Sequence, residues 1–382
     1  MLLQLSTGFS MGMIAPILGI FVRSKGLSMT QIGLVGTASM MGWFIWEPVM
    51  GLISDRFNKR LMLASSTAIT MVLYLFYPIA DNLSFFVLLE FARSSIMSAY
   101  SIPVKVLAAE LLPVEYRGRT YGRYMMIVSL GGLISPLVGG FVSETFSLTT
   151  PFYLASINGV LGIIAVSALK PVENVTSTQV DYSAGFKRLL TWPVLTIFSV
   201  RGLYFFNSGF SNNFLSIYLN EQSQFMASET QVGAFYTVMR LVGASSRSFI
   251  GDICDRAGNK PIITGSLAGM GLVYIGLIYT NGLTSMYILG ALQGLFQSSA
   301  DTSMMLQLIE VMPKSRAGLT MGLYSEAENV GGLISTPSVG VLYQNFGGGS
   351  SIWLITLAMF LNSFLSFVSI RERSVNYEQL PA

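Results

Sequence analysis

Gly51-Leu52-Ile53-Ser54-Asp55-Arg56-Phe57-Asn58-Lys59-Arg60 returns 200 residues later as Gly251-Asp252-Ile253-Cys254-Asp255-Arg256-Ala257-Gly258-Asn259-Lys260. Each stretch lies between two long apolar runs, and the same offset recurs along the chain. Ser28-Met29-Thr30-Gln31-Ile32-Gly33 matches Ser228-Glu229-Thr230-Gln231-Val232-Gly233, and Glu110, Pro113, Gly118, Thr120 and Gly122 return as Glu310, Pro313, Gly318, Thr320 and Gly322. Gly131-Gly132-Leu133-Ile134-Ser135 recurs unchanged as residues 331–335. Four blocks in one register point to two homologous halves. In each Ser-x-x-Gln block the serine and glutamine can satisfy the free N–H groups at a helix start.

The surroundings of these blocks set the solvent. Of 382 residues, 52% are hydrophobic and only 11% charged, with mean hydropathy +0.60; a soluble domain carries about 25% charged residues. A helix needs about 20 apolar residues to cross a bilayer. The apolar runs predict twelve spans, near 2–22, 30–53, 61–80, 84–108, 118–142, 151–169, 193–219, 230–250, 261–280, 283–309, 317–343 and 351–370. The expected fold is therefore an all-α membrane protein of twelve transmembrane helices, arranged as two six-helix bundles related by a parallel pseudo-two-fold. No Ala-x-Ala-like cleavage site follows the first run, so it reads as span 1, and its abrupt start at Leu2 leaves room for residues upstream.

Fifteen lysines and arginines fall in the loops after even-numbered spans and in the C-terminal tail, against Arg23 and Lys25 alone on the other side. Basic residues mark the cytoplasmic side, so both termini are expected in the cytoplasm of a protein in the plasma membrane. The longest polar connection, residues 170–192, separates an N-terminal half (1–169) from a C-terminal half (193–370), with a tail at 371–382. The net charge of +3 is spread over short loops and implies no nucleic-acid partner. The single cysteine, Cys254, falls in a predicted loop and excludes an intrachain disulfide, and histidine is absent, so proton coupling must use carboxylates. No cofactor or metal is expected, and no nucleophile–base pair or phosphate loop points to an enzyme.

The decapeptide at 51–60 resembles the G-x-L-x-D-R-x-G-R-K/R signature of the major facilitator superfamily, and its second copy resembles it again. It departs at Asn58, which also tolerates the left-handed backbone that glycine would adopt. The resemblance covers essentially the whole chain and implies a transporter that works by alternating access. Physically, Gly51 and Gly251 would allow close helix approach, Asp55 and Asp255 would face helix dipoles, and Arg56, Arg256 and Arg60 could pair with Glu110 and Glu310 as a gate that closes in one state. The rival reading is a topology signal alone. On span 5, Gly122, Gly131, Ser135-Pro136 and Gly139-Gly140 follow the spacing found in the proton-coupled antiporters of that superfamily. Pro136 would bend the helix and the glycines would present a smooth packing face, which also suits an importer.

Ionisable residues inside spans are costly and usually functional. Here they include Glu47, Glu90, Arg93, Arg201, Arg240, Arg247, Asp301, Glu326 and Glu328, and spans 3, 6, 9 and 12 carry none. Arg93 is either a coupling residue or a structural partner of Glu90, one turn away. Glu326 and Glu328 lie about 200° apart around their helix, so one is expected to pair with an arginine, Arg240 first, leaving the other to titrate. Asp301 competes for the role of proton carrier. Glu47 and Arg247 read as gating positions. Span 7 contributes Asn207 and Asn212 from a polar, glycine-containing stretch expected to face a cavity, and Trp43 and Trp46 are candidates for its apolar wall. The function these features predict is proton-coupled efflux of a small organic molecule by a protein acting as a monomer in the bilayer. A symporter, a facilitator or a transporter-like receptor remains the alternative.

Overall fold

In the computed structural model, residues 2–54, 57–111, 131–167, 191–221, 224–312 and 317–370 are described. They form thirteen helices and, among the described residues, no strand. These are α1 (Leu2–Ser24), α2 (Met29–Ser54), α3 (Lys59–Phe76), α4 (Leu83–Leu111), α5 (Ser135–Thr145), α6 (Thr150–Ser167), α7 (Trp192–Asn213), α8 (Leu215–Glu221), α9 (Glu229–Ala257), α10 (Asn259–Tyr279), α11 (Leu283–Val311), α12 (Ala317–Phe346) and α13 (Gly348–Ser369). Four of them, α1, α6, α10 and α13, are long and apolar enough to cross a membrane by length and composition alone. Of the others, α5 with 11 residues and α8 with 7 are too short. The seventh apolar run is broken: α7 stops at Asn213, and α8 begins after Phe214.

Both Ser-x-x-Gln blocks form capping boxes. Gln31 N–H donates to Ser28 Oγ and Ser28 N–H to Gln31 Oε1; Ser228 and Gln231 do the same. The two signature loops differ from the sequence expectation. Asn58 does not adopt the left-handed backbone but is extended (φ −65°, ψ 110°) and caps α3 by accepting from Arg60 N–H and Leu61 N–H. Its counterpart Gly258 has φ +82° and joins α9 to α10 by itself. An asparagine can cap with its side chain, whereas glycine can only turn. Cys254 is consequently not in a loop but buried in the last turns of α9.

Helix pairings repeat at the 200-residue offset. α2 packs on α4 as α9 does on α11; α3 packs on α6 as α10 does on α13; and α1 packs on α5 and α6 as α7 does on α12 and α13. Two further seams join the halves of the chain, α2 along α12 and α5 along α9. These seams are copies of one another. A Cβ on Gly340 would lie 2.8 Å from the Met29 carbonyl oxygen, and one on Gly140 would overlap the carbonyl of Glu229, the counterpart of Met29.

The outer faces are apolar stripes at helical spacing. Ile157, Leu161 and Ile164 on α6 are 65%, 61% and 58% exposed, and Leu357, Leu361 and Phe364 on α13 are 62%, 59% and 67% exposed. Water would penalise such contiguous surface, while lipid covers it without cost. α6, α10 and α13 contain no charged residue past their first turns.

Candidate functional site

A cavity of about 560 Å³ lies between the two halves of the chain. α1, α2, α3 and α4 contribute Ile14, Val35, Ser39, Trp43, Tyr74, Glu90 and Arg93, and α7, α9 and α11 contribute Asn212, Tyr236, Arg240, Arg247, Gln297 and Asp301. One end is sealed by contacts between the halves. Arg23, at the end of α1, pairs with Glu221 at the end of α8 (2.9 Å). Met29 N–H donates to Gln344 Oε1 (2.8 Å), and Thr230 N–H donates to Glu144 Oε2 (3.1 Å). Glu144 lies in the last turn of α5, beyond the predicted span. The hydrogen bonds from Thr230 and Ser228 hold its carboxyl below the usual carboxylate value. At the opposite end, Cβ atoms on Gly51, Gly251 and Gly322 would meet nothing within 4 Å.

Behind the cavity wall at Asp301, Arg201 of α7 brings three helices together. Its Nη1 lies 2.7 Å from Asp301 Oδ1 on α11, and its Nη2 2.7 Å from Glu328 Oε1 on α12. Its guanidinium stacks over the rings of Tyr204, Phe205 and Tyr324, 4.7–5.1 Å from their centroids. A planar, delocalised cation suits both kinds of contact: Nε and Nη2 share Glu328 Oε1, Nη1 takes Asp301 Oδ1, and the aromatic rings lie against the guanidinium.

A second buried pair sits in the first half. Arg93 Nη2 lies 2.5 Å from Glu90 Oε2, and Tyr77 donates its hydroxyl to Glu90 Oε1 (2.6 Å). Arg93 also reaches Ser39 Oγ (3.4 Å). Glu90 is 2% exposed, so the pair and its tyrosine form a satisfied network rather than an isolated charge.

Several sequence expectations are corrected here. Arg240 does not pair with Glu326 or Glu328; it donates from Nη1 to the Gly132 carbonyl (2.8 Å), while Glu328 belongs to Arg201. Glu326 faces the side of Asn329 and Glu47, with one carboxyl oxygen buried and without a hydrogen-bond partner, and it does not line the cavity. Asn207 turns away from the cavity and accepts from the Tyr274 hydroxyl, which in turn accepts from Gln293. Trp43 lines the cavity and Trp46 does not. Arg60 caps α6, donating to the carbonyls of Val166 (3.1 Å) and Ser167 (2.5 Å). Its long fork reaches two unpaired C-terminal carbonyls of the neighbouring helix, which an arginine satisfies well. Gly51 and Gly251 make no close helix approach in this conformation. Arg256 and Asp255 are exposed, and Glu310 accepts from Asn259 Nδ2 (3.0 Å). Asp55, Arg56, Gly122 and the side chain of Glu110 lie outside the described residues. On the rest of the glycine motif, a Cβ on Gly139 would overlap the Met13 carbonyl of α1, and one on Gly131 would lie 2.5 Å from that of Leu5. Pro136 sits in the first turn of α5, just after a bend at Ile134.

The comparisons with known proteins agree with this architecture. The Major Facilitator Superfamily description matches residues 1–284 and 197–381, which together span the chain. The chain belongs to the major facilitator superfamily. An uncharacterised MFS-type transporter of Methanocaldococcus jannaschii is 25% identical over 355 residues, 90% of this chain and 89% of that one. The quinolone resistance protein NorA of Staphylococcus aureus is 24% identical over 208 residues, and the match spans about half of each chain (52% and 53%). The solved structure of a variant of the nucleoside transporter NupG superposes with a TM-score of 0.81 at 14% identity, covering 97% of this chain and 98% of that one. The chain is thus an integral membrane transporter of the superfamily. Cavity residues that sequence reasoning missed include Ser39, Tyr74, Tyr236 and Gln297. A signal for part of this set was present: Gln293, Gln297 and Asp301 recur every four residues, a polar stripe along one face of α11.

Proposed function

We propose that this chain exports a small organic molecule across the plasma membrane in exchange for protons, by alternating access. In this reading twelve spans form two six-helix bundles, 1–169 and 193–370, related by a parallel pseudo-two-fold, with the linker at 170–192 and both termini in the cytoplasm. The cavity carries the reading: it is lined from both halves and sealed at one end by contacts between them. With fifteen basic loop residues on the open side, the open end faces the cytoplasm, as loading for efflux requires. The NorA relative supports a drug-like substrate. The cavity is complete within one chain, which supports a monomer.

Proton coupling is assigned to Arg201, Asp301 and Glu328. In this reading Asp301, which lines the cavity and pairs with Arg201, takes the proton, and proton and substrate then compete for that wall. Reconstituted vesicles with an imposed pH gradient and a quinolone as first probe test this. Proton release driven by substrate, with efflux, is the expected outcome; uptake without pH dependence would refute antiport. Asp301→Asn should abolish coupling and spare binding, and unchanged proton-driven transport in that variant would remove Asp301 from the mechanism.

A further inference from the structure

Among the described residues, five charged side chains line the cavity: Glu90, Arg93, Arg240, Arg247 and Asp301. Glu90 is answered by Arg93 and Asp301 by Arg201. Arg240 and Arg247 have no carboxylate partner among the described residues. They lie seven residues apart on α9, on one face and about 10 Å apart along its axis.

Arg240 is the deeper of the two. Gly290 meets Phe235, and Gly294 meets Met239, so α9 and α11 run parallel, with residue 294 level with 239. Asp301 is therefore level with about residue 246, roughly 9 Å from Arg240 along the helix axis at 1.5 Å per residue. Glycines on the opposite wall make room for its guanidinium. A Cβ on Gly12 would lie 2.7 Å from Arg240 Nη1, and one on Gly132 would lie 3.4 Å from it. Of the five N–H donors of a guanidinium, the Gly132 carbonyl takes one. A cation held partly out of water with donors in excess favours an oxyanion, which forms short charge-assisted bonds with the fork. Around it, Asn212 and Gln297 can hydrogen-bond neutral parts of a ligand, and Ile14, Leu18 and Met239 can pack an apolar body.

We propose that Arg240 is an anion-binding subsite and that the substrate carries a carboxylate, sulfonate or phosphate group which docks on it. This rests on the transport reading for its biological meaning, but not for its chemistry. Arg247, towards the open end, extends the same positive face and guides the anion inward.

The test uses the purified full chain and matched probes: 4-methylbenzoate, 4-methylbenzenesulfonate and phenyl phosphate, against neutral 4-methylbenzamide and cationic 4-methylbenzylammonium. At least one oxyanion should raise the melting temperature more than the amide does. Arg240→Gln should erase that difference, and Arg240→Lys should retain it with affinity lowered about tenfold, because the charge survives and the fork is lost. Phenylglyoxal labelling of wild-type protein, mapped by mass spectrometry, supplies the same answer without a variant, since a bound oxyanion should protect Arg240. The subsite is overturned if no oxyanion outperforms the amide, if the advantage survives Arg240→Gln, or if Arg240 labels equally with and without the anion. Transport of the probes in vesicles separates the two readings. If only the cation is bound and carried, the subsite falls and the transporter stands. An oxyanion protected at Arg240 but never carried leaves the subsite and removes the transport reading.

Discussion

Gly340→Ala tests the sealed end directly. In the described conformation the new methyl would lie 2.8 Å from the Met29 carbonyl oxygen, 3.1 Å from Gly33 Cα and 3.3 Å from the Phe214 ring. Two of these neighbours are backbone and cannot rotate aside, so regaining ordinary contact at 3.4 Å means parting α2 and α12 by roughly 0.6 Å. Overpacking of this kind costs about 1–3 kcal/mol. In a state where the seam is already parted, the methyl costs little. The equilibrium between the two states should therefore move roughly 5- to 150-fold towards the parted one, at 1.4 kcal/mol per factor of ten. Gly51→Ala should act with the opposite sign: here its methyl meets nothing, and it would be crowded only where the other end closes. Spin labels on Phe146→Cys and Phe346→Cys, both 73% exposed and 200 residues apart at the sealed end, read the separation by pulsed electron resonance in a Cys254→Ala background. Gly340→Ala should enlarge the long-distance population and Gly51→Ala should diminish it. Unchanged distributions, or shifts of the same sign, would refute the two-state seam.

Arg201→Gln leaves the Asp301 and Glu328 carboxylates without their shared cation, a loss of about 3–5 kcal/mol for a buried pair; adding Asp301→Asn should recover part of it, measured by thermal unfolding in detergent. Glu90→Gln should destabilise by a similar amount because it strands Arg93, and Glu90→Gln combined with Arg93→Met should be milder than Glu90→Gln alone in the same assay. The Glu144 carboxyl is held below its ordinary value by hydrogen bonds across the seam, so its contribution to sealing is present above that value and lost as pH falls through the lowered one. The labelled pair should accordingly part at acid pH, and Glu144→Gln should remove that dependence.

What the chain determined unaided is local or periodic. The Ser28–Gln31 and Ser228–Gln231 boxes need only neighbours three residues away, and they formed as read. Apolar length marks segments for lipid, and the 200-residue register sets helix pairings that repeat, because a duplicated sequence buries duplicated faces. Facing partners are another matter. Helical spacing says that Glu326 and Glu328 point to different sides, but only the assembled bundle decides that Arg201 of α7, rather than Arg240 of α9, meets Glu328, since three helices distant in sequence must converge. The same holds for Asn207, whose amide packing turned towards Tyr274 instead of the cavity. Equivalent positions even solve one turn in two ways, with Asn58 capping and Gly258 turning left-handed. Side-chain charge is legible along a chain; which charge is left unanswered is decided where the helices meet.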